Sequence, residues 1–186
     1  MCKKIKNIKG FFTDFASADS DLKFYLHQKS LLERLLLKLK LNYGNIYRYH
    51  CCNTAALEIN QSTDNRDDFY RLGVGAYGYS LCTLNDKQLK PVMAVYADLI
   101  SSRELDAMLR VGYGDVFFRL NANYPYIICQ KLPVLGCGSM DSFSTFGNLS
   151  RVCVMADAKR LADYHQTIVY EILTNFKESL LRTVQG

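Results

Sequence analysis

Apolar residues recur at helical spacing in two parts of the chain. After the N-cap residues Asp19 and Ser20, leucines follow one another every three or four positions until Asn42–Gly44. The same spacing runs from Leu161 to Leu180, after a possible cap at Asp157. The pattern therefore predicts an N-terminal helix and a long C-terminal amphipathic helix over 157–184.

Between these helices, the apolar positions are typical of strands. Ser101 or Ser102 can cap a short helix from Arg103 to Val111, which Gly112 would end. Residues 136–150 are small and polar and predict a surface loop, and 85–88 predict a hairpin turn. Strands are expected over 45–52, 55–60, 69–84, 89–100, 115–120, 126–134 and 151–156.

This order of elements predicts an α+β fold. We expect a mainly antiparallel twisted sheet with an N-terminal helix, a short middle helix and a long C-terminal amphipathic helix. Residues 1–18 are basic and then aromatic, and are interpreted as a mobile N-terminal extension that can dock on the body. Residues 19–186 are expected to form a single domain.

Composition narrows the class of protein. The chain has 186 residues, of which 49% are hydrophobic, and a formal charge of +5. Four lysines in the first nine residues account for most of that charge, and no basic stripe typical of nucleic-acid binding follows. The seven cysteines are odd in number and several lie in apolar runs, so reduced thiols and a cytoplasmic location are expected. No apolar run approaches the length of a transmembrane helix.

The motifs that suggest chemistry are weak. Gly73–Gly78 matches G-x-G-x-x-G, and dinucleotide binding requires a helix to begin after these glycines. The sequence that follows predicts a strand instead. His50 precedes Cys51 and Cys52, whose side chains would point to opposite faces of a strand, so no metal site is expected. His165 lies in the apolar stripe of the last helix and is interpreted as a core or interface residue. The sequence predicts no catalytic residue and no cofactor.

Paired tyrosines offer a candidate binding surface. Tyr47 and Tyr49 share one face of a predicted strand, and Tyr77 and Tyr79 share another. Neighbouring strands with aligned tyrosines would form an amphipathic patch for an extended peptide. Ordinary core packing is the alternative explanation.

The element order resembles that of class I type III secretion chaperones, the Tir-chaperone-like fold. Leu31–Leu41 is similar to their first helix, and Leu89–Asp98 to the strand that enters their middle helix. The stretch Leu105–Asn123 is similar to their leucines followed by an asparagine. Arg151–Met155 and the helix after it resemble their closing strand and helix. The resemblance covers roughly residues 22–182.

The resemblance implies a non-enzymatic, protein-binding function. It implies a homodimer joined through Leu105, Met108 and Leu109 of the middle helix. It also implies that the first helix, with Leu31 and Leu35, and the sheet hold an extended segment of an effector protein. The chain departs from the family in being basic and in having extra strand-like text at 45–60.

Two other classes of protein remain open. A chorismate-lyase-like enzyme is suggested by 77–98 followed by Gly112–Phe117, with Glu171 as its acidic residue. The arginine that this family has before Cys82 is replaced by Tyr77, and Glu171 falls on a predicted helix. The third class is a sensor in which a curved sheet and a helix enclose a small molecule. A chaperone would expose an apolar patch, a lyase would hold a carboxylate and an arginine in a closed pocket, and a sensor would have an apolar cavity.

Overall fold

The structure is a computed structural model, and it forms two compact units, Met1–Lys90 and Pro91–Gly186. The described residues are 10–43, 48–59, 69–82, 89–104, 106–115, 118–147, 150–178 and 180–184.

The first unit is built around one long helix and a short parallel strand pair. Strand β1 (Gly10–Phe12) pairs with β2 (Arg48–His50), and helix α1 (Leu22–Tyr43) lies between them in the chain. Helix α2 (Thr54–Ile59) and a 3-10 helix (Val74–Tyr77) follow. The core of the unit consists of Phe15, Ala18, Tyr25, Cys51, Cys52, Ala55, Ala56 and Cys82. Burial of these side chains is the main stabilising contribution in the unit.

The second unit contains a five-stranded antiparallel sheet in the order β5-β6-β4-β3-β7. Strand β3 is the longest, and it pairs with β4 on one side and β7 on the other. The strands are β3 (Val95–Arg103), β4 (Asp106–Leu109), β5 (Val134–Leu135), β6 (Phe143–Phe146) and β7 (Arg151–Met155). Leu109, Val152, Val154 and Met155 of this sheet are fully buried and belong to the core of the unit.

Two short helices close the second unit. Helix α3 (Ala158–His165) begins where Asp157 Oδ1 accepts a hydrogen bond from Lys159 N at 2.8 Å. It ends at Gln166, which has a left-handed backbone with φ of 54°. Helix α4 (Val169–Thr174) buries Ile172 completely.

The predicted fold class is confirmed in its coarse form, which mixes helices with an antiparallel sheet. The N-terminal helix and the strand over 151–156 are also present. The long C-terminal helix is wrong, because the left-handed turn at Gln166 divides the segment and α4 ends at Thr174. Apolar residues at helical spacing therefore belong to two helices joined by a turn.

The predicted middle helix over 103–111 is also wrong. Arg103 ends β3, and Asp106–Leu109 form β4. Within β4 burial alternates, with Ala107 and Leu109 buried and Met108 exposed, which is the period of a strand. The tight connection uses a positive φ of 50° at Glu104.

Other local predictions were wrong for related reasons. Residues 55–60 were expected to be a strand, but 54–59 form α2, because Asn53 Oδ1 caps it by accepting from Ala56 N at 3.0 Å. The expected strand over 69–84 contains a 3-10 helix instead. The expected surface loop over 136–150 contains β6, and its Phe143 and Thr145 are buried. Strands were also expected over 115–120 and 126–134. Among the described residues of these ranges, only the isolated bridge between Ile127 and Pro133 and the start of β5 at Val134 are present.

Some predictions concern residues outside the described part of the chain, namely the loop 61–68 and the turn 85–88. The division into an extension over 1–18 and a domain over 19–186 stays a prediction. Within that extension Phe15 and Ala18 are buried, and the Phe15 ring meets that of Tyr25 edge-on at 4.8 Å. No described helix is long and apolar enough to cross a bilayer.

Candidate functional site

Arg71 joins separate segments of the first unit through its guanidinium group. Its Nη2 atom donates to Thr13 O at 2.9 Å and to Cys51 O at 3.3 Å, and it forms an ion pair with Asp14 Oδ1 at 2.6 Å. Its Nη1 atom lies 2.6 Å from His50 Nδ1. Because a guanidinium group carries five donors in a rigid plane, one side chain can fix β1, β2 and the start of the 3-10 helix together.

Thr54 brings the beginnings of α2 and the 3-10 helix together. Gly73 N donates to Thr54 Oγ1 at 3.1 Å, and Thr54 is 3% exposed. A Cβ atom on Gly75 would lie 2.8 Å from Thr54 Cγ2, so only glycine permits this approach. A hydroxyl that accepts one bond still has a hydrogen to donate. The first N–H groups of a helix have no acceptor within it, so Val74 and Gly75 contribute further donors at this place.

In the second unit, two glycines on either side of Tyr113 allow the loop 112–114 to pack closely against another backbone segment. A Cβ atom on Gly112 would lie 2.4 Å from Ser139 O and 2.5 Å from Asp141 N. A Cβ atom on Gly114 would lie 2.8 Å from Met140 O. Tyr113 N donates to Ser139 O at 3.0 Å, and Gly114 N donates to Met140 O at 2.7 Å. The segments 112–114 and 139–141 thus lie backbone against backbone.

Tyr113 lies at the tip of this paired loop with its side chain 46% exposed. Asp115 Oδ2 accepts from Gly112 N at 3.0 Å and closes the turn from within. The Lys177 ammonium lies 3.9 Å from Asp115 Oδ1 and ties the residues after α4 to the same loop. The backbone around Tyr113 is fixed on several sides, while its phenol group reaches solvent.

The second unit also has an open cavity of about 970 Å³. Tyr164 forms part of its wall, and its hydroxyl donates to Tyr124 O at 2.6 Å and accepts from Asn121 N at 3.0 Å. His165 lies between rings, 5.1 Å from Phe118 and 4.8 Å from Tyr164. Burial lowers the pKa of His165 below 6.5, and the Glu171 carboxylate acts in the opposite direction.

The predicted peptide-binding residues differ in exposure and in the elements that carry them. Leu31 and Leu35 are half-exposed on α1, as is Tyr77 in the 3-10 helix, whereas Tyr79 is buried and Tyr49 is partly buried in β2. Tyr47 lies outside the described residues. Because Tyr77 and Tyr79 are not on a strand, they do not share a strand face. A role of these residues in binding stays a prediction.

The predicted dimer residues are also separated. Met108 is 41% exposed and Leu109 is fully buried, on opposite faces of β4. Leu105 lies outside the described residues. The helical face that was to join two copies is therefore absent, and a homodimer stays a prediction. Among the described residues, no group of three histidine, cysteine or acidic residues could hold a metal ion.

Sequence analysis did not select the residues that form the Arg71–Thr54 cluster and the Tyr113 loop. Arg71 lay in an expected strand, Thr54 lay between two expected strands, and Tyr113 lay beside glycines interpreted as a helix stop. Two signals were present in the sequence: Asn53-Thr54 is a strong helix start, and glycines on both sides of Tyr113 indicate a close backbone approach.

Similarity to known proteins points to one kind of enzyme. Over 196 residues, the chain is 30% identical to an alanine racemase of Campylobacter jejuni subsp. doylei, which covers 95% of this chain and 57% of the relative. It is 33% identical to an alanine racemase of a Nitratiruptor species, over 97% of this chain and 60% of the relative. The chain thus spans little more than half the length of these curated relatives. No protein-family profile matches it.

Solved structures show a similar fold. An alanine racemase of Clostridium difficile superposes with a TM-score of 0.78 and 25% identity over 92% of this chain and 51% of that one. An alanine racemase of Bartonella henselae with covalently bound pyridoxal phosphate gives a TM-score of 0.78 and 24% identity, over 96% of this chain and 55% of that one. The fold of the chain is therefore similar to about half of an alanine racemase.

These relatives overturn the functional hypotheses drawn from the sequence. The resemblance to secretion chaperones is wrong, and so is the expected extended effector partner, because the similar proteins are alanine racemases along nearly the whole chain. The chorismate-lyase-like alternative is wrong for the same reason, and the sensor alternative has no support. The chaperone resemblance depended on a middle helix and a long closing helix, and the structure has neither.

The backbone contact at Gly112 predicts the effect of a substitution. Gly112→Ala should lower the free energy of unfolding by about 2–3 kcal/mol, because a methyl group cannot fit against backbone atoms. Gly136→Ala is the matched control, since its φ of 69° is strained for alanine but nothing lies within 4 Å. The control should lose only about 1 kcal/mol. Urea unfolding measures both, and equal losses would contradict the close packing.

His165 predicts a loss of stability in acid. In the unfolded chain it protonates as the pH falls through about 6.5, whereas the folded chain resists protonation, so acid favours unfolding. The melting temperature should fall between about pH 6.5 and pH 5, and His165→Gln should reduce that fall. Thermal unfolding at a series of pH values measures the effect, with His27→Gln as the control on α1. An unchanged fall in the His165 variant would exclude this residue as the cause.

Proposed function

We propose that this chain supplies part of an alanine racemase that uses pyridoxal phosphate. The similarity to alanine racemases at 30–33% identity over 95–97% of the chain carries the proposal. Because the chain spans 57–60% of those relatives, the activity is proposed for the full-length protein that carries it. Its reaction would interconvert L-alanine and D-alanine.

The cofactor is proposed because one similar protein, from Bartonella henselae, holds pyridoxal phosphate covalently. Its phosphate group requires hydrogen-bond donors from hydroxyl and backbone N–H groups. The Thr54 hydroxyl and the N–H groups of Val74 and Gly75 offer such donors at one place. Glycine at position 75 lets this backbone approach Thr54 closely, because a Cβ atom would lie 2.8 Å from Thr54 Cγ2. The residues present therefore fit a phosphate group.

Arg71 supports this place. Its bonds to Thr13, Cys51 and His50 hold the strand pair next to the segment that leads into Gly73. Its guanidinium group makes five hydrogen-bond contacts within the chain, so we assign it to positioning the backbone. The Phe12 ring stacks on His50 at 5.5 Å and covers the same cluster.

A covalent bond to the cofactor requires a lysine amine, and a shielded environment activates such an amine. Every lysine in the described part of the chain is at least partly exposed. We therefore propose that the amine comes from a part of the enzyme outside the described residues. The cofactor, when bound, withdraws electrons from the substrate Cα and thereby makes its proton removable.

Tyr113 is the proposed proton-transfer group of the second unit. Racemisation requires that a proton leave one face of Cα and that a proton be added at the other, so the enzyme must hold proton carriers at fixed positions. The Gly112 and Gly114 contacts fix the backbone on both sides of Tyr113, while its hydroxyl group remains accessible. Its phenol oxygen would accept or donate the proton at Cα.

Recognition of the phosphate can be tested with a nearly isosteric change. Thr54→Val removes the hydroxyl and should weaken binding of pyridoxal phosphate by about tenfold or more, since a hydrogen bond to a charged group is lost. Pyridoxal, which lacks the phosphate, should bind the variant and the original chain equally. Fluorescence titration measures both ligands, and Thr174→Val, on the exposed face of α4, serves as control. Equal weakening for both ligands would show that Thr54 does not recognise the phosphate.

Activity is tested by the formation of D-alanine from L-alanine with pyridoxal phosphate present. We expect D-alanine to accumulate with the full-length protein, and Tyr113→Phe to lower kcat by about a hundredfold or more because the phenol oxygen carries the proton. Chiral chromatography measures the product, and Tyr124→Phe, a highly exposed tyrosine of the same unit, is the control. Absence of D-alanine from the original protein would refute the racemase proposal. Full activity of the Tyr113 variant would refute only the role of this tyrosine.

A further inference from the structure

Two cysteines of the second unit lie in contact although they are far apart in the sequence. Cys153 Sγ donates to Cys129 Sγ at 3.2 Å, and the two positions are 24 residues apart. Cys129 N also donates to Cys153 O at 3.3 Å, so the two backbones are neighbours. A disulfide requires Cβ atoms about 3.5–4.5 Å apart, which neighbouring backbones with touching thiols can reach without rearrangement.

The surroundings hold this pair in place and leave it accessible. Cys153 lies on β7, whose other side pairs with β3. The Gln130 carboxamide faces the backbone of Cys153, with 2.8 Å to Cys153 O and 3.2 Å to Cys153 N in the orientation that satisfies both groups. Both cysteines are partly exposed, whereas Cys51, Cys52 and Cys82 are buried. An oxidant in solution can therefore reach the pair.

We propose that Cys129 and Cys153 are a redox pair that a small disulfide such as oxidised glutathione converts reversibly into an intramolecular disulfide. The proposal goes beyond racemisation and is independent of it. It assigns a function to two cysteines that the sequence alone indicates to be buried apolar residues.

The reaction has two exchange steps. The Cys129 thiolate attacks one sulfur of oxidised glutathione, a mixed disulfide forms on Cys129, and one glutathione leaves as a thiolate that takes up a proton. The Cys153 thiol then loses its proton to solvent and attacks Cys129 Sγ, which releases the second glutathione. Two protein thiols are oxidised and one disulfide is reduced to two thiols.

The order of the steps follows from the hydrogen bond in which Cys153 Sγ is the donor and Cys129 Sγ the acceptor, since the donor keeps its proton. Burial, together with its hydrogen bond to Cys129, raises the pKa of the Cys153 thiol well above its ordinary value. Because only the thiolate is a nucleophile, Cys153 is a poor first attacker at neutral pH. Its position beside Cys129 makes it the second attacker, since proximity compensates for low reactivity once the mixed disulfide has formed.

The disulfide would fasten one wall of the open cavity. Tyr126 and Ile127, just before Cys129, line that cavity, as do Arg160 and Tyr164 of α3. Arg160 Nη2 already donates to Ile127 O at 3.2 Å, and Tyr164 holds Tyr124. A bond between Cys129 and β7, which leads into α3, adds a covalent link to the same contact. The oxidised chain should therefore melt at a higher temperature than the reduced chain.

The test is peptide mapping by mass spectrometry after the folded full chain has been incubated with oxidised glutathione and its free thiols blocked. We expect a linked Cys129–Cys153 peptide that has lost two hydrogen atoms, about 2 Da, and that dithiothreitol returns to two thiols. No linked peptide, or links that involve other cysteines instead, would overturn the proposal. A Cys129–Cys153 link that forms only after the chain is unfolded in urea would also overturn it.

Variants separate the two roles. In Cys153→Ser, Cys129 should retain a bound glutathione, because the second attack is lost. In Cys129→Ser, the first attacker is lost. Cys153 should then react with oxidised glutathione at least about tenfold more slowly than Cys129 does in the original chain. Cys137→Ser removes the third described cysteine of this unit, also partly exposed, and should leave the linked peptide unchanged. Rapid glutathione addition to Cys153 in the Cys129 variant would contradict the assigned order.

Discussion

The close approach of two backbone segments at Gly112 and Gly114 is the constraint on which the second unit depends. Main-chain atoms of 139–141 occupy the space that a side chain would need at either glycine. Hydrogen bonds from Tyr113 N and Gly114 N then run between the two segments. Because main-chain atoms cannot move independently of the fold, this contact fixes Tyr113 more firmly than side-chain packing would.

The first unit uses a different device for the same purpose. A single guanidinium group bonds to carbonyl and side-chain groups of segments that are distant in the sequence. The hydrogen bond from Gly73 N to Thr54 Oγ1 links the segment after Arg71 to the start of α2. The first unit thus holds the buried hydroxyl of Thr54 on a fixed backbone, and the second unit holds the half-exposed side chain of Tyr113 in the same way.

The interpretation as a chaperone shows how a correct local pattern can give a wrong class of protein. Apolar residues after Asp157 do recur at helical spacing, yet Gln166 adopts a left-handed conformation that ends α3, and a second helix begins at Val169. Around Met108 the spacing fits a helix and a strand equally well over so few residues. Pairing with β3 and β6 decided in favour of a strand, because it satisfies the backbone hydrogen bonds of Asp106–Leu109 on both sides.

The sequence by itself determined the elements whose signals are local: helix α1 with its run of leucines, strand β7 with its alternating apolar residues, and a mixture of helices with an antiparallel sheet. Tertiary structure alone decided which residues meet. Thr54 bonds to Gly73, Tyr113 bonds to Ser139, and Cys129 touches Cys153, each pair separated by 19 to 26 positions. Such contacts depend on how strands and turns are arranged in space. Residue spacing and composition predict local structure, but they do not predict that arrangement.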